Sequence, residues 1–245
     1  SHIVHAHATR ADPRVRERNP AAAGMPQSTV PTIDLWYGTT QFFGGLGLPQ
    51  DRINILGNLS PSAGYTLEYS LNGSAFQPVT LGTDPPSNAR LVNVGDFNIE
   101  LFDPNYIPSN MKERPPVFLA NGLNTLTLRV IKTATGEEMP DARRELTIHY
   151  TPLGVQSWPL PYSIQWSSAG DISQVAQVVD GKWEITGGGV RIREPGYDRL
   201  IGIGSMDWDD YEVRTSFIVH GQLSENEGGI GILLGWQGHY QRDPG

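Results

Sequence analysis

Residues 65–73 read YTLEYSLNG, and this stretch decides the fold class. Its apolar side chains alternate with polar ones, so the apolar set shares one face of a β-strand: Tyr65, Leu67, Tyr69 and Leu71. Asn72-Gly73 follows at once, and this dipeptide best tolerates the positive φ angles of a type I′ turn. Residues 76–81 (FQPVTL) return as the second strand. The stretch therefore predicts an antiparallel β-hairpin.

The same period of two recurs along the chain. Residues 124–131 (NTLTLRVI) alternate, and residues 145–150 (ELTIHY) follow a turn at Thr135-Gly136. Later segments read as further strands: 181–187, 190–193, 210–219 and 229–236. Short alternating strands separated by turns are typical of a sandwich or barrel. We therefore predict an all-β fold.

Composition excludes several classes of protein. The chain has 245 residues, of which 28 are Gly and 19 are Pro, and only 18% are charged. Globular chains average roughly 25% charged residues, and this balance disfavours coiled coils and helical bundles. The absence of Cys excludes disulfide scaffolds, Cys-based zinc sites and thiol catalysis. A formal charge of −8 argues against non-specific nucleic-acid binding. No apolar run resembles a membrane span.

Three regions are expected. Residues 1–30 carry a formal +2, from four Arg against one Asp and one Glu, and show almost no apolar periodicity. We interpret them as an extended basic arm. Residues 31–153 hold the first set of strands, and residues 154–245 hold the second set with five of the six Trp.

The first set of strands resembles a known family of modules. Residues 64–73, followed by 122–128 (GLNTLTL) and a closing strand, are similar to bacterial Ig-like or cadherin-like extracellular domains. The resemblance implies an Ig-like β-sandwich over residues 31–153. The acidic calcium motifs of cadherins are missing, so cadherin-type calcium bridging is not implied.

The second set resembles another family. The order W-E-I (183–185), W-x-D-Y-E-V (208–213) and G-G-I-G-I-L-L (228–234) is similar to the opening half of a laminin-G-like (LamG), concanavalin A-like jelly roll. The resemblance implies that residues 154–245 form only the first half of that domain. An apolar last strand without neighbours is an aggregation liability. We therefore expect a partner chain or a second half to complete the sandwich.

Polar side chains on the outward positions of these strands form the predicted ligand site. Planar Arg and amide groups bind hydroxyls and carboxylates well, and Trp near turns can stack on sugars. The predicted site thus takes an acidic or neutral glycan, such as a cell-surface polysaccharide. Its residues are Arg191, Arg193, Glu212, Arg214, Gln237, His239, Trp158 and Trp208.

No catalytic residues are predicted. The densest carboxylate cluster, residues 207–212 (DWDDYE), does not match the E-x-D-x-x-E strand of laminarinase-type glycosidases. Retaining hydrolysis also needs two carboxyl groups roughly 5.5 Å apart. Residues 225–227 (ENE) offer oxygen ligands for calcium but lack a D-x-D-x-D-G arrangement. We expect no cofactor, with calcium left open, and the sequence defines no metal site.

Three functions agree with these features. The leading one is a secreted or cell-surface, bacterial-type protein for carbohydrate binding or adhesion. The second is part of an extracellular lyase or glycosidase whose catalytic residues lie beyond Gly245. The third is a structural subunit of an extracellular assembly, completed by a partner chain.

Overall fold

The computed structural model describes residues 30–105, 116–152, 160–220 and 229–236. Internal contacts divide the chain into two compact units. The first contains the described residues 30–105, 116–152, 160–207 and 235–236, and the second contains 208–220 and 229–234. The all-β prediction is confirmed, because strands dominate and the described helices are three single-turn 3-10 segments. No helix in the described ranges is long and apolar enough to cross a membrane.

Eight strands build two sheets in the first unit. One sheet has the order β1-β3-β6, and the other has the order β2-β8-β7-β4-β5. All pairings are antiparallel except that β2 runs parallel to β8. The strands are β1 (Thr32–Leu35), β2 (Thr40–Phe43), β3 (Arg52–Ser60), β4 (Tyr65–Leu71), β5 (Gln77–Pro78), β6 (Asp96–Phe102), β7 (Gly122–Lys132) and β8 (Arg144–Tyr150).

The predicted hairpin, β4 and β5, forms one edge of the larger sheet. Leu67 and Leu71 of β4 are buried in the core, and Tyr65 and Tyr69 pack against it. Asn72 and Gly73 take φ angles of 52° and 76°, as the turn requires. The returning strand is shorter than predicted, because only Gln77–Pro78 pairs with β4.

The core lies between the two sheets because alternate residues of β3, β4, β6, β7 and β8 point inward. β7 contributes every second residue, with Leu126, Leu128 and Val130 fully buried, as its sequence predicts. β6 adds Phe97 and Leu101. The alternation seen in the sequence is therefore the burial pattern of the sandwich.

Residues 160–207 pack on this sandwich. They form two small antiparallel pairs, β9 (Gln177–Asp180) with β12 (Leu200–Gly202) and β10 (Trp183–Thr186) with β11 (Gly189–Ile192). The Tyr37 hydroxyl donates to the Gly181 carbonyl (2.6 Å) and accepts from the Trp183 N–H (2.8 Å). The Met206 N–H donates to the Leu48 carbonyl (2.7 Å). The predicted boundaries at 30/31 and 153/154 stay predictions.

The second unit differs from its predicted strands. The described residues 208–220 and 229–234 contain no strand, although segments 210–219 and 229–236 alternate or are apolar. A strand needs a neighbouring strand for its backbone hydrogen bonds, and none of the sheets in the described ranges includes these segments. Ile218, Ile230 and Leu234 are exposed. The jelly roll and the Ig-like assignment therefore stay predictions.

Candidate functional site

The predicted site residues fall into three groups. Trp158, Gln237 and His239 lie outside the described residues, as do the calcium candidates 225–227. Arg191 is exposed on β11, and the Arg193 Nη1 pairs with the Glu184 Oε1 (2.9 Å) in the first unit.

The remaining predicted residues belong to the second unit. The Arg214 Nε lies 3.4 Å from the Glu212 Oε1, and the Trp208 ring meets the Tyr211 ring edge-on at 5.7 Å. The described parts thus place Arg191 and Arg193 in one unit and Trp208, Glu212 and Arg214 in the other. The predicted glycan site stays a prediction.

A groove of about 340 Å³ lies elsewhere in the first unit. One side is formed by the end of β2 and the loop after it, and the other by the segment leading into β9. No charged side chain of the described residues lines it. The lining residues are Phe42, Gly44, Gly45, Leu46, Gly47, Ser173, Gln174, Ala176 and Gln177.

An exposed aromatic pair stands at the edge of this groove. The alternation along β2 points Phe43 into the core and Phe42 outward, where 49% of it is exposed. Phe42 lies opposite His149 of β8, and the two rings stack at 4.8 Å with an interplanar angle of 19°. Leu123 of β7, opposite His149, extends the row and is 66% exposed. Phe42, His149 and Leu123 are called the platform below.

The loop after the platform is shaped by glycine. Gly44 has φ +82°, and a Cβ there would collide with the Thr151 carbonyl oxygen. Gly44 thus lets the loop backbone approach the Thr151 carbonyl more closely than a residue with a Cβ could. Gly45 is different, because a Cβ built on it meets no atom within 4 Å. The groove is therefore open above Gly45.

The opposite wall is fixed by hydrogen bonds. Asp171 caps the 3-10 helix Ile172–Gln174 by accepting from the Ser173 N–H (2.7 Å). The Gln174 Oε1 accepts from the Gly170 N–H (3.1 Å). The Gln177 Nε2 donates to the Arg52 carbonyl of β3 (3.0 Å), which ties the wall to the sandwich.

A chain of buried ion pairs holds β9 in place. Asp180 at the end of β9 accepts from the Arg90 Nε and from the Arg199 Nη1 (2.8 Å). The Arg90 Nη1 also donates to Glu100 of β6 (3.1 Å), which in turn accepts from the Arg52 Nη1 (3.3 Å). These five residues are called the clasp. It joins the strand that carries Gln177 to both β3 and β6.

The clasp is electrostatically coupled. Burial alone raises the pKa of Glu100, but the Arg52 and Arg90 guanidinium groups outweigh it and hold that pKa below its usual value. Burial also raises the pKa of Asp180, an effect that Arg90 and Arg199 oppose. The stability that the clasp contributes therefore depends on how completely its positive and negative charges compensate one another.

The groove continues into a smaller cleft of about 30 Å³. The cleft shares Phe42, Ser173, Ala176 and Gln177 with the groove and is otherwise lined by Tyr37, Gln41, Ile53, Asn54 and Val178. Burial raises the pKa of Tyr37 well above its usual value, although its hydrogen bond from Trp183 opposes the shift. The Gln41 Nε2 donates to the Gly38 carbonyl (3.1 Å). Like the groove, the cleft combines apolar and polar side chains and has no charged side chain in its described lining.

Sequence reasoning missed the platform and the glutamine wall. The Gly-rich run at 44–47 directly after Phe42-Phe43 was the available signal for a close backbone approach. The structure also shows no group of three or more His, Cys, Asp or Glu among its described residues that could hold a metal.

Comparisons with known proteins give little family information. No protein-family model matches the chain, and no curated protein sequence matches it. A solved structure of SGBP-B from the Bacteroides ovatus mixed-linkage glucan utilization locus, in complex with a mixed-linkage heptasaccharide, is similar at a TM-score of 0.27 and 13% identity. The similarity covers 74% of this chain and 48% of that one, so the chain spans about half the length of that protein. At this distance it does not bear on the fold or the ligand.

Proposed function

We propose that this protein binds carbohydrate, and that the groove beside the platform is the binding site. The observation that carries the proposal is the exposed Phe42–His149 stack at the edge of an uncharged, amide-lined groove. Small-molecule sites combine an apolar surface with a few polar groups that fix orientation. This groove has both parts.

The chemistry of the platform suits a sugar ring. A pyranose has an apolar face of C–H groups and a rim of hydroxyls. The aromatic face of Phe42 packs against the C–H face, while Ser173, Gln174 and Gln177 lie on the opposite wall to meet the hydroxyls. Stacking over Phe42 and hydrogen bonding to the wall are therefore possible for one ligand at once.

The role is binding rather than catalysis in this proposal, and it keeps the expected secreted or cell-surface setting. The alternatives remain a carbohydrate-active enzyme with catalytic residues beyond Gly245 and a structural subunit. The exposed Ile230, Ile232 and Leu234 of the second unit favour the latter, because an apolar surface of this kind suits packing against a partner.

The test is affinity electrophoresis of the full chain in gels containing hydroxyethyl cellulose, xylan, galactomannan or polygalacturonate. We expect at least one neutral polysaccharide to retard the protein. Phe42→Ala removes the ring. Because 49% of Phe42 is exposed and available to a ligand, about half of the 1.5–3 kcal/mol of a full ring burial is lost, which should raise Kd roughly 3- to 10-fold. Titration calorimetry with an oligosaccharide of the retarding polymer measures this change.

Phe118→Ala is the matched control. Phe118 is also an exposed phenylalanine (41%), but it lines neither the groove nor the cleft. Its Kd should stay within about twofold of wild type. Equal binding by Phe42→Ala and wild type would remove the platform from the site and refute the proposal.

A further inference from the structure

Three glutamines line the groove and its cleft, and each has one end of its carboxamide fixed by the backbone. The Gln41 Nε2 donates to the Gly38 carbonyl (3.1 Å) and the Gln177 Nε2 donates to the Arg52 carbonyl (3.0 Å). The Gln174 Oε1 instead accepts from the Gly170 N–H (3.1 Å).

These backbone partners settle which way each amide faces. A carbonyl only accepts and a backbone N–H only donates, so the nitrogen or oxygen that meets it is determined. Gln41 and Gln177 therefore keep their Oε1 for other contacts, and Gln174 keeps its Nε2. None of these three atoms has a hydrogen bond to another described residue.

The arrangement sets what a ligand must supply. A ligand in the groove must bring an O–H donor to the Gln177 oxygen and an acceptor to the Gln174 nitrogen, and a group that reaches the cleft must bring a donor to the Gln41 oxygen. A sugar hydroxyl serves as donor and acceptor alike. A carboxylate or sulfate can accept from the Gln174 Nε2, but it has no proton for the Gln41 and Gln177 oxygens, and no cation in the described lining offsets its charge. Burying an unpaired charge is strongly unfavourable.

We infer that the groove selects uncharged pyranose units and rejects uronic-acid and sulfated glycans, with Gln177 as the main specificity-determining residue. The inference rests on the proposed function and narrows the acidic or neutral glycan expected from the sequence. Gln177 is singled out because it lines both cavities and its amide is held from β3. Equatorial hydroxyls leave a ring face of C–H groups for Phe42, so β-1,4-linked hexamers are the suitable probes.

The experiment titrates the full chain with cellohexaose, xylohexaose, mannohexaose and hexamannuronate by calorimetry; the last two are both β-1,4-linked and differ only by the carboxylate at C6. For the best neutral hexamer and for mannohexaose, Kd should be at least about tenfold lower than for hexamannuronate. Gln177→Met keeps the side-chain length but loses the acceptor and also the bond from its Nε2 to the Arg52 carbonyl, which keeps its bond from the Gln50 Nε2 (2.7 Å). One lost hydrogen bond between uncharged groups should raise Kd about 3- to 10-fold.

Gln77→Met is the control, because Gln77 lies on β5 and lines neither cavity. It should change Kd less than twofold. Thermal unfolding of each variant checks folding, and the wild-type ratio of neutral to acidic hexamer needs no variant at all.

The outcomes separate the two ideas. Hexamannuronate binding as tight as that of a neutral hexamer overturns the inference and leaves glycan binding in place. The same holds if Gln177→Met binds like wild type while Phe42→Ala is weakened. If Phe42→Ala leaves Kd unchanged, or no hexamer binds, the proposed function fails and the inference fails with it.

Discussion

Replacing Asp180 by Asn tests the clasp that holds the groove wall. Asp180 is almost fully buried and accepts from two guanidinium groups, those of Arg90 and Arg199. Asn keeps the size of the side chain but removes its charge. Arg90 retains Glu100 as a counterion, whereas Arg199 donates to Asp180 and to the neutral Arg90 carbonyl. The Arg199 side chain, 9% exposed, then becomes a buried charge without compensation.

The magnitude follows from that count of charges. Breaking a buried ion pair by removing one partner costs about 3–5 kcal/mol. Because Arg90 keeps Glu100, we expect the low end, a loss of about 3 kcal/mol in the free energy of unfolding. For a chain of this size that is roughly a 6–12 °C fall in Tm.

Urea unfolding of the full chain at pH 7, followed by tryptophan fluorescence, measures the change. Glu184→Gln is the matched control, because it is also a carboxylate-to-amide change but belongs to an exposed pair with Arg193 (2.9 Å). Exposed pairs contribute about 0–1 kcal/mol, so this variant should stay close to wild type. If Asp180→Asn costs no more than Glu184→Gln, Asp180 is protonated in the folded protein and the clasp carries no net attraction.

Two further predictions concern the groove and alkaline pH. Gly45→Phe places a ring in open space above the groove and should abolish binding of the neutral hexamers without lowering Tm; Gly187→Phe, in the exposed turn between β10 and β11, is the control. A fall in the Tm of Gly45→Phe together with the loss of binding would contradict this prediction, because the variant would then lose binding by unfolding. Burial raises the pKa of both Tyr37 and Tyr150. Tyrosines of the unfolded chain ionise near pH 10, while these two keep their protons in the folded protein. Their contribution to the free energy of unfolding is therefore fully present below about pH 10. It falls as the pH rises further, by up to about 1.4 kcal/mol per pH unit for each tyrosine. Urea unfolding from pH 9 to 11 should show a loss of stability that steepens to a slope of about 2.5 kcal/mol per pH unit at pH 11, roughly halved in Tyr37→Phe; an unchanged slope in that variant would exclude Tyr37 as a source.

The sequence predicts those parts of the sheets that are determined by residues close together in the chain. The hairpin at residues 65–73 depends on alternation and on Asn72-Gly73, which are neighbours in the chain. Alternation alone was insufficient in segment 210–219, because a strand also requires a pairing neighbour and the described residues supply none there.

The candidate site was beyond sequence reasoning for a related reason. Phe42 and His149 are far apart in the chain and meet only because β2 pairs with β8 in parallel. Gln177 reaches the groove through a bond to the Arg52 carbonyl, a group that carries no sequence signal. The predicted arginines followed outward alternation, which predicts exposure but not which exposed residues converge.

The parallel pairing of β2 with β8 has a mechanical consequence. Thr40 lies beside Thr147 and Phe43 beside Tyr150, so the chain enters this pair at one end and leaves it at the other. Tension applied to the sandwich through its two ends pulls the strands past each other, which loads their hydrogen bonds together in shear. An antiparallel pair pulled in the same way opens one bond at a time. The strands that carry Phe42 and His149 therefore form the pair of the larger sheet whose hydrogen bonds are loaded together.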